Sequence, residues 1–183
     1  MAYRNGTYVA FHAQGTSDPT ASDMKYYQLI KAWTERGDDD FAFINSHDKA
    51  SSVRDTSQKE TLRASLQERF RNSRNMVLII GDATRFDTDW IPYEIEQAID
   101  NYELPVIAAY TDYNSICAPN ELSNLWPNAL AVRIRNKTAR VIHIPFKKEP
   151  LKAAINHYDH NNLPSSPLTY YVRDAYVKWG LIV

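Results

Sequence analysis

Apolar runs alternate with helix-patterned stretches along the chain, a pattern typical of a parallel sheet with helical crossovers. Four runs predict strands, at Tyr8–Ala13, Phe41–Asn45, Asn75–Ile80 and Leu104–Tyr110. The third run is apolar throughout, which predicts a strand buried on both faces in the middle of the sheet. Either of two later runs, Ala129–Ile134 or Arg140–Phe146, could supply a fifth strand, and the pattern leaves both open.

Helical spacing of apolar residues fills the stretches between these runs. The clearest helix is predicted to begin near Trp90, with Asp89 as its N-cap and Pro92 in the first turn, where no intrahelical N–H bond is lost. Its core-facing stripe consists of Ile91, Ile95, Ala98, Ile99 and Tyr102. Further helices are predicted at about Lys59–Asn72 and Glu149–His160. A short final helix is expected to carry Tyr170, Tyr171, Ala175, Tyr176 and Trp179.

Together these elements predict a flavodoxin-like α/β fold. It is a three-layer sandwich around a central five-stranded parallel sheet, with the strand order 2-1-3-4-5. Residues 1–162 are expected to form this domain, and residues 163–183 a C-terminal helical extension packed on the domain or on a partner. Open sheets of this kind bind ligands outside the carboxyl ends of their strands, where the strand order reverses. The functional edge is therefore expected at the ends of strands one and three.

Composition and charge narrow the class of function. The 183 residues carry a formal net charge of −1, which gives no bulk attraction to nucleic acid or anionic lipid. The first residues lack the apolar core of a signal peptide, and no apolar run approaches the ~20 residues that span a bilayer. The single cysteine, Cys117, forms no disulfide within the chain, which favours a reducing compartment. We therefore expect a cytoplasmic protein that binds neither nucleic acid nor membrane.

Polar and aromatic residues gather at the strand ends that should share the functional edge. They are Phe11, His12 and Ala13 at strand one, His47 and Asp48 after strand two, and Gly81, Thr84, Trp90, Tyr93 and Glu94 after strand three. Glu94 lies one helical turn after Trp90, so the two side chains share a face of the helix. A carboxylate beside an indole suits recognition of a sugar or a nucleotide, although on spacing alone a solvent-exposed glutamate is the commoner case.

Other candidate chemistry is weaker. His157 and His160 near a helix end are more typical of solvated polar residues than of metal ligands, and no Cys-x-x-Cys pair supports them. Cys117 has no recognisable activating base. The chain contains neither a Gly-x-Gly-x-x-Gly nor a Walker-type loop, which disfavours redox use of NAD and NTP hydrolysis. No metal and no cofactor are therefore expected.

One segment carries a more specific pattern: an apolar strand, Gly-x-x-Thr, a short linker, then Trp-x-x-x-Glu followed by an apolar residue. In this chain it comprises Ile80–Thr84 and Trp90–Ile95. The pattern resembles the signature of TIR domains, in the bacterial TIR-like form of the Thoeris antiphage defence system. Phe11 with His12, the long loop after strand two, and Tyr93 directly before the glutamate are also similar to that branch. The likeness covers about residues 7–160 in element order.

The resemblance implies an enzyme that takes NAD as its substrate and cleaves the nicotinamide–ribose bond. The ADP-ribose part would become a signal molecule, with a cyclic product expected, that activates a partner effector. The resemblance places the catalytic carboxylate at Glu94 and its aromatic companion at Trp90. It implies a substrate site formed by Phe11, His12, Ala13, His47, Asp48, Gly81, Thr84, Trp90 and Tyr93.

Two features depart from the wider TIR pattern, and one alternative function stays open. The loop after strand two is hydrophilic and lacks the apolar-Pro pattern of receptor-type TIR domains, and the residues beyond Leu163 have no counterpart in the minimal TIR fold. The alternative is a catalytically silent nucleotide-binding or adaptor module that acts by self-association as a homo-oligomer. A response-regulator-like function is disfavoured, because no acidic pair follows strand one.

Overall fold

Five parallel strands form one sheet in the computed structural model, which describes residues 4–13, 23–35 and 56–183. In their hydrogen-bonded order they are β1 (Gly6–Ala10), β2 (Ser73–Ile80), β3 (Val106–Tyr110), β4 (Val141–Pro145) and β5 (Thr169–Tyr170). The helices are α1 (Met24–Glu35), α2 (Thr56–Asn72), α3 (Trp90–Glu96), α4 (Asn128–Arg135), α5 (Lys148–His157) and α6 (Arg173–Lys178). Two 3-10 segments, Thr84–Phe86 and Pro119–Leu125, and a π-helical turn at Gln97–Asn101 complete the described elements.

Apolar side chains on both faces of the sheet form two cores, which gives the three-layer arrangement. Alternate residues of β2 point to opposite faces, as the two-residue period of a strand requires. One face packs with α2 and α3 through Met76, Leu78, Ile80, Leu66, Phe70, Ile91 and Ile95. The other packs with α1 and α5 through Val77, Ile79, Ile30, Leu151 and Ile155. The predicted burial of this strand on both faces is confirmed, as is the α/β class with a five-stranded parallel sheet.

The strand pairings agree with the predicted order as far as the described residues extend. The runs predicted as strands one, three and four are β1, β2 and β3, and they pair side by side. The predicted second strand, Phe41–Asn45, lies outside the described residues. The complete order 2-1-3-4-5 therefore stays a prediction.

The alternative of a strand at Ala129–Ile134 is wrong, because these residues lie in α4. Pro127 stands at the N-cap position of this helix, and the buried side chains of Leu130 and Ile134 lie four residues apart on one face. The other alternative, Arg140–Phe146, contains β4, which pairs with β3.

The predicted final helix is also wrong in part, since Tyr170 belongs to β5 and α6 is confined to Arg173–Lys178. Thr169 and Tyr170 pair with Ile142 and His143 on the outer edge of β4, and this pairing makes the segment a strand of the sheet. One residue of α6 contacts the body of the domain. Tyr176 is fully buried and its hydroxyl donates to the carbonyl oxygen of Ile116 at 3.1 Å. The domain boundary at residues 162 and 163 stays a prediction.

Candidate active site

Glu94 is buried between α3 and the sheet. Its side chain is 2% exposed, and Oε1 accepts a hydrogen bond of 2.6 Å from the hydroxyl of Tyr8 in β1. The Tyr8 ring stacks on Phe70 of α2, with centroids 3.9 Å apart and an interplanar angle of 16°. The local sequence explains this position, because Ile91 and Ile95 hold α3 against the sheet and turn residue 94 inward as well. Glu94 is therefore no solvent-exposed helix glutamate.

Burial raises the pKa of Glu94 to about 8, because the charged form loses its hydration. The hydrogen bond from Tyr8 opposes this shift, and the nearby carboxylate of Asp87 adds to it. Burial, reinforced by the charge of Glu94, also raises the pKa of Tyr8 well above its usual value. A carboxyl group with a pKa near neutrality can be used in either protonation state, which is characteristic of catalytic carboxylates.

The N-terminus of α3 is capped by Asp87. Its Oδ1 accepts hydrogen bonds from the backbone N–H groups of Asp89, Trp90 and Ile91 at 3.0, 3.0 and 3.3 Å. Asp89 stands at the N-cap position, as predicted, but its side chain makes no capping bond. The reason is the backbone: Asp87 has the extended conformation typical of a capping residue, with ψ 122°, whereas Asp89 has ψ −71°.

The second oxygen of Asp87 joins this helix to the end of β1. Oδ2 lies 2.7 Å from Nδ1 of His12, and both side chains are largely buried, at 11% and 18% exposure. Although burial alone would raise it, the hydrogen bonds from His12 and from the backbone hold the pKa of Asp87 below its usual value. Sequence reasoning selected His12 and missed Asp87. The available signal was an aspartate three residues before Trp90, the spacing from which a cap reaches the first turn.

The Gly-x-x-Thr motif closes the loop after β2. The hydroxyl of Thr84 accepts the N–H of Gly81 at 2.8 Å and donates to Oδ2 of Asp23 at 3.2 Å. A Cβ atom on residue 81 would lie 2.9 Å from Oδ1 of Asp23, so glycine leaves room for this carboxylate. Asp23, which sequence reasoning did not select, is buried, and burial raises its pKa. Thr84 is fully buried too, so in this structure the motif shapes the rim of the site.

Aromatic rings line the outside of this region. The half-buried rings of Trp90 and Tyr93 meet edge to face at 6.3 Å, and the guanidinium of Arg63 lies 5.2 Å from the Tyr93 ring. Phe86, which the sequence did not single out, is 65% exposed, with the guanidinium of Arg85 4.6 Å from its ring. Flat exposed rings beside a guanidinium are suited to stacking with a nucleotide base.

The other residues predicted for the substrate site do not all lie together. Phe11 is buried and stacks on Tyr27 at 5.2 Å, which makes it a core side chain. Ala13 is partly buried against the same core. His47 and Asp48 lie outside the described residues. The structure thus brings His12 to α3 through Asp87, and it places Gly81 and Thr84 together on Asp23.

A cavity of about 360 Å³ opens at the carboxyl ends of β2 and β3. It is lined by Ile80, Gly81, Asp82, Thr111, Asp112, Tyr113 and Leu125. A larger cavity of about 540 Å³ lies near the amino ends of β3 and β4 and is lined by Ile99, Asp100, Glu103, Leu104, Thr138, Arg140 and Leu163. We assign the smaller one to the site, because open α/β sheets bind ligands at their carboxyl edge and because Gly81 belongs to both.

Two further observations concern metals and membranes. Across residues 4–13, 23–35 and 56–183, no group of three or more His, Cys, Asp or Glu side chains is arranged to hold a metal ion. Within the same ranges, no helix has both the length and the apolar character needed to cross a membrane.

Comparison with known proteins gives the family. A solved structure described as a conserved protein from Enterococcus faecalis V583 is 19% identical in sequence, and the match covers 82% of this chain and 96% of that one, with a TM-score of 0.45. A family model described as the TIR-like domain of Thoeris protein ThsB matches residues 8–116, which is more than half of the chain. The matched stretch includes the end of β1, the Gly-x-x-Thr loop and Glu94. The chain therefore belongs to the family of Thoeris ThsB TIR-like domains, and it is a defence-related TIR module.

Proposed function

We propose that this protein is an enzyme that consumes NAD. It cleaves the bond between nicotinamide and ribose and produces a signal molecule derived from ADP-ribose, with a cyclic product expected. That molecule activates a partner effector in antiphage defence. The observation that carries the proposal is the buried carboxyl group of Glu94, with its pKa near 8, in the helix that follows the Gly-x-x-Thr loop.

The burial of Glu94 supports an enzyme over an adaptor. Removing a carboxylate from water is unfavourable, and proteins that do so tend to use the perturbed group in chemistry. A module that acted only by self-association would be as well served by an uncharged residue such as Gln, which also accepts the bond from Tyr8. The neighbouring Asp87 and His12 add two further titratable groups at the same edge of the sheet.

Cleavage of this bond requires charge stabilisation more than acid catalysis. Nicotinamide departs as a neutral molecule with the electron pair of the broken bond, and the ribose passes through an oxocarbenium-like state. The carboxylate of Glu94 stabilises that positive charge, at a buried position where electrostatic interactions are strong. The nicotinamide ring of NAD is itself cationic, so a bound substrate favours the ionised form of Glu94 that burial alone disfavours.

The carboxyl group is 2% exposed, so substrate must displace what covers it. We propose that Trp90 and Tyr93, both half-buried on α3, move when NAD binds and that a ribose hydroxyl then bonds to Glu94. If water reaches the ribosyl cation, the product is linear ADP-ribose. If a hydroxyl of the same molecule reaches it first, the product is cyclic, and exclusion of water decides between the two.

The test is incubation of the full chain with NAD at a series of protein concentrations. Nicotinamide release and ADP-ribose products are followed by chromatography for the wild type, Glu94→Gln and Glu96→Gln. Glu96 is the matched control, since it is exposed on the same helix. We expect Glu94→Gln to lose about 10²–10³-fold in turnover, the scale at which removal of an electrostatic stabiliser acts, and Glu96→Gln to stay within about 2-fold of the wild type.

Turnover that survives in Glu94→Gln would overturn the role of this residue. If the wild type releases no nicotinamide at any concentration, with or without extract of phage-infected cells, the adaptor function is favoured instead.

A further inference from the structure

We propose that His12 is the general base that captures the ribosyl cation, and that Asp87 positions it. The inference rests on the proposed cleavage of NAD and names the group that takes up the proton in its second half. The capturing group is a hydroxyl, which belongs either to water or to the same nucleotide.

The first support is the rigidity of the pair. Oδ2 of Asp87 is 2.7 Å from Nδ1 of His12, while Oδ1 accepts three backbone N–H groups at the start of α3. A carboxylate held by both oxygens cannot turn away, so it fixes the orientation of the imidazole ring. The backbone of His12 is fixed as well, because its carbonyl oxygen accepts the N–H of Asp23 at 3.4 Å.

The second support is the tautomer that this bonding dictates. An ionised carboxylate only accepts hydrogen bonds, so the proton between Asp87 and His12 belongs to Nδ1. In the neutral ring the lone pair then lies on Nε2, at the far side from Asp87. A carboxylate that orients an imidazole in this way is the arrangement by which proteins prepare histidine as a base. His12 is 18% exposed, so its ring is not sealed from ligands.

The third support is the location of the pair beside Glu94. His12 stands two residues beyond β1, the strand whose Tyr8 binds Glu94. Asp87 caps the helix that carries Glu94 and is close enough for its charge to act on that carboxyl group. One aspartate therefore connects the proposed base to the helix with the proposed cation stabiliser.

The proton and electron balance of the step is simple. The bond between the ribose anomeric carbon and nicotinamide breaks, and its electron pair leaves with nicotinamide. A hydroxyl oxygen forms the new bond to the same carbon, and its proton passes to Nε2 of His12. The carboxylate of Asp87 stabilises the resulting imidazolium, which releases the proton to solvent once the product has left. No oxidant, reductant or metal takes part.

Two substitutions distinguish general base catalysis from a His12–Asp87 contact that only stabilises the fold. His12→Asn keeps an amide donor near the position of Nδ1 and removes the base. Asp87→Asn keeps a good helix cap, since Asn and Asp cap equally well. The amide of this Asn would, however, donate to Nδ1, which moves the proton to Nε2 and blocks it as a base.

The experiment measures product formation together with the exchange of isotope-labelled nicotinamide into NAD. Exchange requires cleavage and return, with no deprotonation of a hydroxyl. In both variants we expect product formation to fall by about 10²–10⁴-fold, the scale of general base catalysis, while exchange continues. Glu94→Gln should lose both. Linear and cyclic products, separated by chromatography, show whether the hydroxyl came from water or from the nucleotide.

Nitrogen NMR of the His12 ring provides a readout that does not need activity. The wild type should show a protonated Nδ1, and Asp87→Asn a protonated Nε2. The proposal is overturned if His12→Asn forms product at the wild-type rate, or if exchange and product formation are lost together in both variants. These outcomes leave the role of Glu94 in place. Turnover that survives Glu94→Gln overturns that role, and a wild type that releases no nicotinamide overturns the proposed function itself.

Discussion

Glu94 in α3 and His143 in β4 are both buried titratable side chains, and burial favours the neutral form of each. It raises the pKa of Glu94 to about 8 and lowers the pKa of His143 to about 4. One is the proposed catalytic group and the other belongs to the core. Their surroundings explain the difference.

His143 lies in a closed chain of hydrogen bonds. The indole N–H of Trp126 donates to the hydroxyl of Tyr110 at 2.7 Å, and that hydroxyl donates to Nδ1 of His143 at 2.7 Å. Nε2 donates to the carbonyl oxygen of Pro167 at 3.0 Å, which ties the C-terminal segment to β4. Aromatic rings surround the imidazole, with Tyr110 stacked at 5.8 Å.

Glu94 is also bonded to a tyrosine, but a second carboxylate and an imidazole lie nearby as well. Tyr8 binds it directly, Asp87 acts on it by charge, and Asp87 in turn holds His12. A buried group with a displaced pKa is therefore insufficient to mark an active site. The informative feature is a second and third titratable group at the carboxyl edge of the sheet, where ligands bind.

The largest loss of stability is expected from His143→Ala. The substitution removes a buried ring from two aromatic neighbours and leaves the Tyr110 hydroxyl and the Pro167 carbonyl without their partner, so the free energy of unfolding should fall by about 4 kcal/mol. Urea denaturation measures it. The exposed His160→Ala should change stability by less than about 0.5 kcal/mol. A loss equally small for His143→Ala would contradict the structural role.

Glu94→Gln should have the opposite effect at alkaline pH. Between about 4.5 and 8 the folded protein binds more protons than the unfolded chain, so stability falls as pH rises through this window. Gln removes that loss and still accepts the bond from Tyr8. We expect it to be more stable than the wild type by up to about 5 kcal/mol at pH 9, measured by urea denaturation across pH. Parallel curves for the two proteins would show that Glu94 is not buried as described.

His143 should determine much of the loss of folding stability at acid pH. Between about 4 and 6.5 the unfolded chain binds more protons, so stability falls as pH decreases through this window, by up to about 3 kcal/mol. His143→Gln has no charge to acquire and should show a flatter curve below pH 6.5, although its stability at neutral pH is lower. Thermal unfolding at pH 7, 6 and 5 compares the slopes, and equal slopes would contradict the assignment.

The smallest effect is expected from Tyr8→Phe. Loss of one hydrogen bond should lower the free energy of unfolding by about 1 kcal/mol. The pKa of Glu94 should rise further, because the bond from Tyr8 is what lowers it. The fall in stability that starts near pH 4.5 should then end at a higher pH than in the wild type, which urea denaturation across pH would detect. Tyr113→Phe lies outside this pair and should leave the pH at which the fall ends unchanged.

The sequence by itself determined the elements with strong patterns. The apolar run of β2 predicted a strand covered on both faces, and the stripe Ile91, Ile95 and Ala98 predicted the orientation of α3. Glu94 was found through Gly-x-x-Thr and Trp-x-x-x-Glu, a short local motif. Such features can be predicted from the sequence because hydrophobic periodicity and local spacing are properties of consecutive residues.

Tertiary structure decided whatever depends on residues far apart in the chain. Tyr8 and Glu94 are 86 positions apart in the chain, and His12 and Asp87 are 75 positions apart. No local sequence pattern predicts either contact. The backbone before α3 decided that the side chain of Asp87, and not that of Asp89, caps the helix. Thr169–Tyr170 forms a strand because it pairs with the edge of β4. A motif can thus select the carboxylate. The burial that displaces its pKa, and the partners that place it among titratable groups, arise only when the sheet brings distant segments together.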